Sequence, residues 1–361
     1  MARATDDMLP ESDAQQGAPH PRANVDFIGH ATAEHELLQA YQSGKLPHAW
    51  IMGGDKGIGK ATLAWRFTKF VLAHPDFTSL AVQNAKSLAV DDSNAAVQRV
   101  HALGHGDVQI LRREWNEKTK KHFTVIRADE ARKAVHMFQQ SASEGGYRIV
   151  ILDSAEDLNS ESGNGLLKMI EEPPERSLFL IISHQPNRIL PTIRSRCRML
   201  LLHPLTQAEC LAAFQGFGAG ADGKTLERAC ELAHGSVSRA LKLISGKSLD
   251  VSNRLESVLR NLPRVDWRDV HALADGITAR ANEEEYETFK DTILDWLHGQ
   301  IHKPQPVAVL APFAESWDSL SELIRQSEAY NLDRRALVLS VVSTLAKAAE
   351  MARAYQMPNQ A

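Results

Sequence analysis

Residues 53–62 read Gly-Gly-Asp-Lys-Gly-Ile-Gly-Lys-Ala-Thr, which differs at one position from the phosphate-binding pattern G-x-x-x-x-G-K-[ST]. Gly54, Gly59 and Lys60 fit the pattern, but Ala61 stands where a Ser or Thr hydroxyl would bind Mg²⁺. The glycines let backbone N–H groups surround phosphate oxygens, and the lysine supplies a positive charge. The chain therefore keeps the phosphate-binding part of the motif and lacks its metal ligand, which predicts nucleotide binding without efficient hydrolysis.

The sequence around this loop supports a phosphate site. The apolar run 48–52 precedes the loop and predicts a buried strand, and residues 61–72 follow it with the apolar spacing of an amphipathic helix. Strand, loop and helix are the context that the motif requires, because the helix N-terminus attracts anions. The alternative is a glycine-rich turn with an incidental lysine.

The rest of the N-terminal half alternates between strand and helix patterns. Strands are predicted at 107–113, 147–153, 178–183 and 198–203, with helices at 128–141 and 160–172. Such alternation is typical of an α/β fold with a parallel sheet. Strand signals end at Thr206, after which the helical patterns lie at 206–216, 224–233, 237–244, 284–302 and 334–355.

These patterns divide the chain into four parts. We predict a disordered tail at 1–23, a P-loop core at 24–204, a small helical lid at 205–248 and an all-α C-terminal domain at 249–361. The net charge of −4 argues against a strongly basic nucleic-acid binder, and the three cysteines do not form a C-x-x-C pair. No apolar segment approaches the length of a membrane span or a secretory signal, so we expect a cytoplasmic protein without a membrane partner.

Asp153 is the second chemical landmark, because it ends the most apolar strand. In P-loop proteins an acid at this place holds the magnesium shell. A hydrolysing enzyme would place a carboxylate directly after it, whereas this chain has Ser154. Glu156 and Asp157 follow, and we interpret them as acids at a helix N-terminus that point elsewhere.

Arg194, Arg196 and Arg198 form the third landmark. If this segment is extended, the three side chains share one face, and the planar fork of arginine suits phosphate. The alternative is a solvated basic edge.

Two further blocks carry a family resemblance. Residues 164–174 read NGLLKMIEEPP and residues 190–197 read LPTIRSRC. Together they closely resemble bacterial clamp-loader subunits of the AAA+ class, namely the gamma/tau and delta-prime subunits of the DNA polymerase III holoenzyme. Residues 27–30 and 46–49 also match the start of that family, and the likeness covers roughly 24–245. The stretch LDSAEDLN, with no Glu directly after the aspartate, is closer to delta-prime.

The resemblance implies a role for individual residues. Gly54, Gly57, Gly59 and Lys60 match the family's phosphate loop, and Asp153 matches its magnesium-site acid. Ser183 matches the sensor-1 position. Arg196 matches an arginine finger that reaches a neighbouring subunit. The resemblance also implies that the C-terminal domain is a collar that joins subunits.

The chain departs from the family at several positions. Ala61 and Ser154 remove the metal-binding hydroxyl and the catalytic carboxylate, and Thr62 lies one residue late, so it replaces the hydroxyl only if the helix start shifts. Arg239 lies one residue late for the sensor-2 position. The family's four-cysteine zinc module has no counterpart between Leu72 and His105, so we predict no zinc or other structural metal.

The favoured function is that of a largely noncatalytic delta-prime subunit in a clamp loader that places a sliding clamp on primed DNA. Its implied partners are the gamma/tau and delta subunits and, through the complex, the sliding clamp and primer–template DNA. ATP or ADP is the expected ligand, bound weakly or without hydrolysis, and a role for Mg²⁺ is left open. An active gamma/tau-type ATPase and a DNA-repair AAA+ ATPase are the alternatives.

Overall fold

The computed structural model describes residues 9–143, 145–217, 220–245, 247–278, 282–330 and 332–356. The chain forms two compact units, Met1–Arg239 and Ala240–Ala361. The first unit carries the phosphate loop and the second is helical, so they are described separately.

Seven strands lie among the described residues of the first unit, and five of them form one parallel sheet in the order β2-β5-β6-β1-β7. The other two form a small antiparallel hairpin. The strands are β1 (Ala49–Gly53), β2 (Val108–Leu111), β3 (Trp115–Asn116), β4 (Lys121–His122), β5 (Arg148–Asp153), β6 (Ser177–Ser183) and β7 (Arg198–Leu201). The central strands are buried along nearly their whole length, which explains why they are continuous apolar runs in the sequence.

Helices cover both faces of this sheet. They are α1 (Ala31–Gln42), α2 (Lys60–Ala73), α3 (Leu80–Gln83), α4 (Ala95–His101), α5 (Ala128–Gln139), α6 (Ser160–Glu171), α7 (Pro191–Arg194), α8 (Gln207–Phe217) and α9 (Gly223–Leu232). Successive residues of β1 point to opposite faces. Trp50 therefore joins the core formed with α1 and α2, and Ile51 joins the core formed with α5 and α6.

Residues 9–23 lie against this unit, although the sequence predicted disorder up to residue 23. Arg112 forms ion pairs with Glu11 (2.8 Å) and Asp13, and the Arg22 side chain donates to the carbonyl of His101 (3.1 Å). The prediction is wrong for these residues because it considered only local polarity. Their partners are distant in the sequence, and only folding brings them together.

The second unit has one apolar core. Helix α10 (Val237–Ile244) spans the boundary, and it is followed by α11 (Ser248–Asn261), α12 (Trp267–Ile277), α13 (Glu283–Ile301), α14 (Val307–Tyr330) and α15 (Arg334–Gln356). Leu255, Phe289 and Val338 are among the fully buried residues that join α11, α13 and α15. No helix among the described residues is long and apolar enough to span a membrane.

The prediction of an α/β core with a parallel sheet, followed by an all-helical C-terminal region, is confirmed by this architecture. The predicted strands and helices agree with the observed ones to within one or two residues at most ends. The assignment of a separate lid and a collar domain with the stated boundaries stays a prediction.

Arg148, at the start of β5, offers a test of how the sheet is held. Its side chain is 9% exposed and donates to the carbonyls of Phe138 (2.6 Å), Gln140 and Glu175 (2.7 Å). Arg148→Met removes the donor from one buried and two partly buried carbonyls, so we expect the sheet to lose about 3 kcal/mol of stability. Hydrogen exchange of the β5 and β6 amides should then be about 100-fold faster.

The matched control is Arg132→Met, because Arg132 pairs with Asp129 and Glu161 at the exposed surface of α5. Exposed ion pairs contribute little, so its exchange rates should stay within about threefold of the unmodified protein. Equal exchange rates in the two variants would show that Arg148 does not secure the sheet.

Candidate nucleotide-binding site

The phosphate loop connects β1 to α2 at the carboxyl edge of the sheet. The strand ends at Gly53, and the helix begins at Lys60 with Gly59 as its N-cap. Gly54 and Gly57 have φ values of 139° and 79°, a region that residues with a Cβ rarely adopt. The predicted strand–loop–helix context is therefore present, and the N-terminus of a 14-residue helix faces the loop.

The segment after α9 packs directly on this loop. Ser236 Oγ donates to the carbonyl of Lys56 (2.8 Å), and the Ser238 amide donates to the carbonyl of Gly57 (3.4 Å). A Cβ placed on Gly57 would lie 2.4 Å from both Ser236 Oγ and Ser238 Cβ. Glycine is thus required at position 57 by a close approach as well as by its backbone angle.

Lys60 lies within the loop rather than in solvent. Its side chain is 3% exposed, and Nζ donates to the carbonyls of Gly54 (2.6 Å) and Asp55. Burial lowers the pKa of Lys60 to about 8, and the negative charge of Asp153 opposes this shift. A phosphate group at the loop would supply further negative charge to the ammonium, which donates to two backbone carbonyls there.

Asp153 ends β5 beside the loop, as predicted. Burial, with a further contribution from the charge of Asp13, raises the pKa of Asp153 to about 7, while Lys60 acts in the opposite direction. A cation would favour the charged carboxylate. The pocket therefore holds a lysine and an acid whose charged forms are both disfavoured, as expected for groups that bind a charged ligand.

The side-chain hydroxyl that would bind Mg²⁺ is missing at the second residue of α2. Helix α2 starts at Lys60, without a shift, so Ala61 occupies the ligand position. Thr62 is rotated by about 100° around the helix from Ala61. This geometry gives no support to Thr62 as a substitute ligand, and its assignment stays a prediction.

Glu156 is a site residue that the sequence interpretation missed. Ser183, at the end of β6, donates its hydroxyl hydrogen bond to Glu156, and the Gln185 amide donates to Glu156 Oε1 (2.7 Å). Burial raises the pKa of Glu156, but the hydrogen bonds from Ser183 and Gln185 lower it by more, so its pKa lies below the usual value. Glu156 was expected to point elsewhere. That expectation is wrong, because the short 3-10 turn at 155–157 faces β6. The sequence signal that could have identified Glu156 is its position three residues after Asp153, the acid at the end of β5.

The three arginines do not share a face, as an extended segment would require. Residues 191–194 form α7 because proline at the first helical position favours a helix start. Arg196 lies on the following turn, where it is 41% exposed, donates to the carbonyl of Thr192 (3.0 Å) and pairs with Glu171 (3.1 Å). Arg198 instead pairs with Glu36 (2.8 Å). The prediction of a common phosphate-binding face is wrong, and Arg196 differs from Arg198 in its surroundings.

Delta' subunits of DNA polymerase III are similar to part of this chain. The family model described as "DNA polymerase III, delta subunit" matches residues 29–206. The DNA polymerase III subunit delta' of Pseudomonas aeruginosa is 37% identical over 150 residues, which cover 42% of this chain and 41% of that protein. The subunit delta' of Escherichia coli is 26% identical over 233 residues, covering 64% and 65%.

Gamma-type subunits are also similar to this chain. The gamma/tau subunit of Mycobacterium tuberculosis is 27% identical over 199 residues, which cover 53% of this chain and 31% of that protein. A gamma subunit-related structure from Thermotoga maritima is 15% identical with a TM-score of 0.40, covering 86% and 99%. The chain matches less than two thirds of the length of the delta' relatives.

Replacing Gly57 tests the contact between the loop and the segment after α9. In Gly57→Ala the strained backbone costs about 1–2 kcal/mol, and the new methyl group would overlap Ser236 and Ser238. We expect the amides of residues 236–238 to exchange at least tenfold faster. Gly223→Ala is the control, since a Cβ at Gly223 meets open space. Unchanged exchange at 236–238 in Gly57→Ala would contradict the contact.

Proposed function

We propose that the chain is a largely noncatalytic delta-prime subunit of a clamp loader, and its similarity to DNA polymerase III delta' subunits supports this proposal. In this role it joins gamma/tau and delta subunits in the cytoplasm. The complex uses ATP hydrolysis at its other subunits to open a sliding clamp and place it on primed DNA. This chain then serves as a structural member of the ring and as an activator of a neighbouring subunit.

One observation carries the noncatalytic part of the proposal. The phosphate loop is fully formed, yet the two groups that complete a hydrolytic site are replaced by Ala61 and Ser154. Glu156 is the nearest other carboxylate in sequence, but it accepts hydrogen bonds from Ser183 and the Gln185 amide. A carboxylate engaged in this way is poorly placed to take a proton from water. The loop can therefore still bind the phosphate groups of ATP or ADP, whereas hydrolysis would need the hydroxyl and the carboxylate that Ala61 and Ser154 replace.

Arg196 supports the role as an activator. Its guanidinium is partly exposed and held by Glu171, a carboxylate of the conspicuous EEPP block. An exposed ion pair contributes little energy. Exchange of Glu171 for a phosphate group of a neighbouring subunit would thus cost little, and arginine is suited to stabilise the charge on a transferring phosphoryl group.

The helical second unit is the proposed collar. It has its own apolar core, formed by α11–α15, and folds as a compact unit. Such a unit provides an attachment to other subunits that is independent of the nucleotide pocket.

An active gamma/tau-type ATPase is the second candidate. It is favoured by the similarity to gamma-type subunits over about half of this chain and by the position of Glu156 near Lys60, whose pKa it influences. Turnover by the isolated chain separates the two candidates.

Reconstitution tests the function. We expect the purified chain to co-elute with gamma/tau and delta subunits as one complex and, alone, to release no phosphate from ATP above background. A gamma/tau subunit serves as the positive control, and Lys60→Ala identifies contaminating activity, since it would not change such a background. Turnover comparable to gamma/tau would favour the active ATPase, and failure to co-elute would refute the clamp-loader role.

Substitution of Arg196 tests its action on a neighbour. Arginine fingers contribute about 10³-fold or more to the rate at one site, and only one of several sites would be affected. Arg196→Ala should therefore reduce the DNA-stimulated ATPase of the complex severalfold while assembly is retained. Arg196→Lys should not restore activity, because lysine lacks the planar fork.

Arg194→Ala is the matched control, since Arg194 ends α7 two residues earlier. It should leave the ATPase of the complex unchanged. Equal losses in Arg194→Ala and Arg196→Ala would instead indicate a nonspecific basic edge.

A further inference from the structure

The segment 9–22, here called the N-terminal strap, is held at one end beside the carboxyl edge of the sheet. Arg112 directly follows β2, and it forms ion pairs with Asp13 and with Glu11 (2.8 Å). The Asp13 side chain is 1% exposed. Leu111 pairs with Leu152 in the neighbouring strand, so Arg112 lies beside Asp153 at the same edge. The carboxylate of the strap is therefore brought to the side of the pocket where the strand-end acid lies.

A second anchor ties the strap to the phosphate loop. Ser238 Oγ donates to Gln15 Oε1 (2.9 Å). Ser238 is also the residue whose amide donates to Gly57 and whose Cβ excludes a side chain at that position. Gln15 is thus bound by a side chain that itself lies on the loop.

A third set of contacts returns the strap along α2. The His20 ring lies edge-on to Trp65, with centroids 6.5 Å apart, and Lys69 Nζ donates to the carbonyl of Arg22 (3.3 Å). Both Trp65 and Lys69 belong to the helix that begins at the phosphate loop. The strap therefore follows this helix toward the loop and does not project into solvent.

The spacing of the first two anchors decides the path. Asp13 and Gln15 are two residues apart, so their Cα atoms are at most about 7 Å apart. One binds the residue after β2 and the other binds the serine on Gly57. The chain between them must pass over the region bounded by the end of β5 and the phosphate loop. The charge of Asp13 is, in agreement, among the causes that raise the pKa of Asp153.

We propose that the N-terminal strap is an intramolecular cover of the phosphate loop, and that a magnesium nucleoside triphosphate or diphosphate binds only when the strap leaves. The carboxylate of Asp13 repels the phosphate groups of a nucleotide, and the link from Gln15 to Ser238 keeps the cover closed. The apparent affinity is proportional to the fraction of molecules in which the strap is displaced, so a strap that is mostly closed weakens binding. This inference rests on the proposed function only in taking the loop as a nucleotide site.

The acidic residues of the strap form an ion-pair cluster and do not suit a metal ion. Glu11, Asp13 and His20 place ligand atoms within 4.8 Å of one another. However, Arg112 and Arg22 already pair with those carboxylates, and their positive charges disfavour a cation. The same pairs keep the closed strap nearly neutral. Because their side chains are only 1–16% exposed, opening the strap separates largely buried charges and therefore has a cost.

The test compares nucleotide affinity in variants of the full chain. Gln15→Ala removes one hydrogen bond of about 1 kcal/mol and should tighten the binding of a fluorescent ATP analogue with Mg²⁺ about fivefold. Asp13→Asn removes the repelling charge at nearly constant size and should tighten binding tenfold or more. Gln16→Ala is the matched control, because Gln16 is the exposed neighbour of Gln15, and it should bind as the unmodified chain does.

Hydrogen exchange gives a readout that does not depend on variants. Saturating analogue should make the amides of residues 9–22 exchange faster, since the strap is displaced. Bound analogue with unchanged exchange in the strap would overturn the proposal, as would equal affinities for Gln15→Ala, Asp13→Asn and Gln16→Ala. An absence of binding in every variant would also overturn it. None of these results alters co-elution with partner subunits, which tests the proposed function separately.

Discussion

The alignment of parallel strands is the constraint on which the candidate site depends. The five strands of the sheet run in one direction and are buried between helices, so their carboxyl ends meet at a single edge. Gly53 pairs with Ser183 and Asp153 pairs with Ile182, which fixes the phosphate loop, the strand-end acid and Ser183 side by side. Because the register is set by side chains buried on both faces, these groups cannot shift independently of the core.

Burial gives the pocket its electrostatic character. Burial lowers the pKa of Lys60 and raises that of Asp153, so the charged form of each group is disfavoured. Such a pair gains from a ligand that brings both phosphate and a cation. The hydroxyl and the carboxylate of a hydrolytic site are nevertheless replaced by Ala61 and Ser154. In the proposed complex, such a pocket would bind nucleotide while neighbouring subunits perform the hydrolysis.

Two surface features connect this pocket to its surroundings in different ways. Arg196 is partly exposed and has a replaceable partner in Glu171, which suits a group that acts on another subunit. The N-terminal strap acts within the chain, because its anchors are Arg112, beside the end of β5, and Ser238, which packs on the loop. In the proposed complex the first would assist hydrolysis at a neighbouring site, and the second would limit nucleotide exchange at this one.

The sequence alone determined the phosphate loop, the strand-end position of Asp153 and the alternation of strands with helices, because these depend on local spacing and on apolar runs that any burial must satisfy. It also determined the loss of the hydroxyl at Ala61. Only the tertiary structure decided that Glu156 binds Ser183, that Arg196 and Arg198 face different partners, and that residues 9–22 are ordered on the core. Each of these depends on which polar groups a fold brings within hydrogen-bonding distance, and local sequence does not encode contacts between residues that are far apart along the chain.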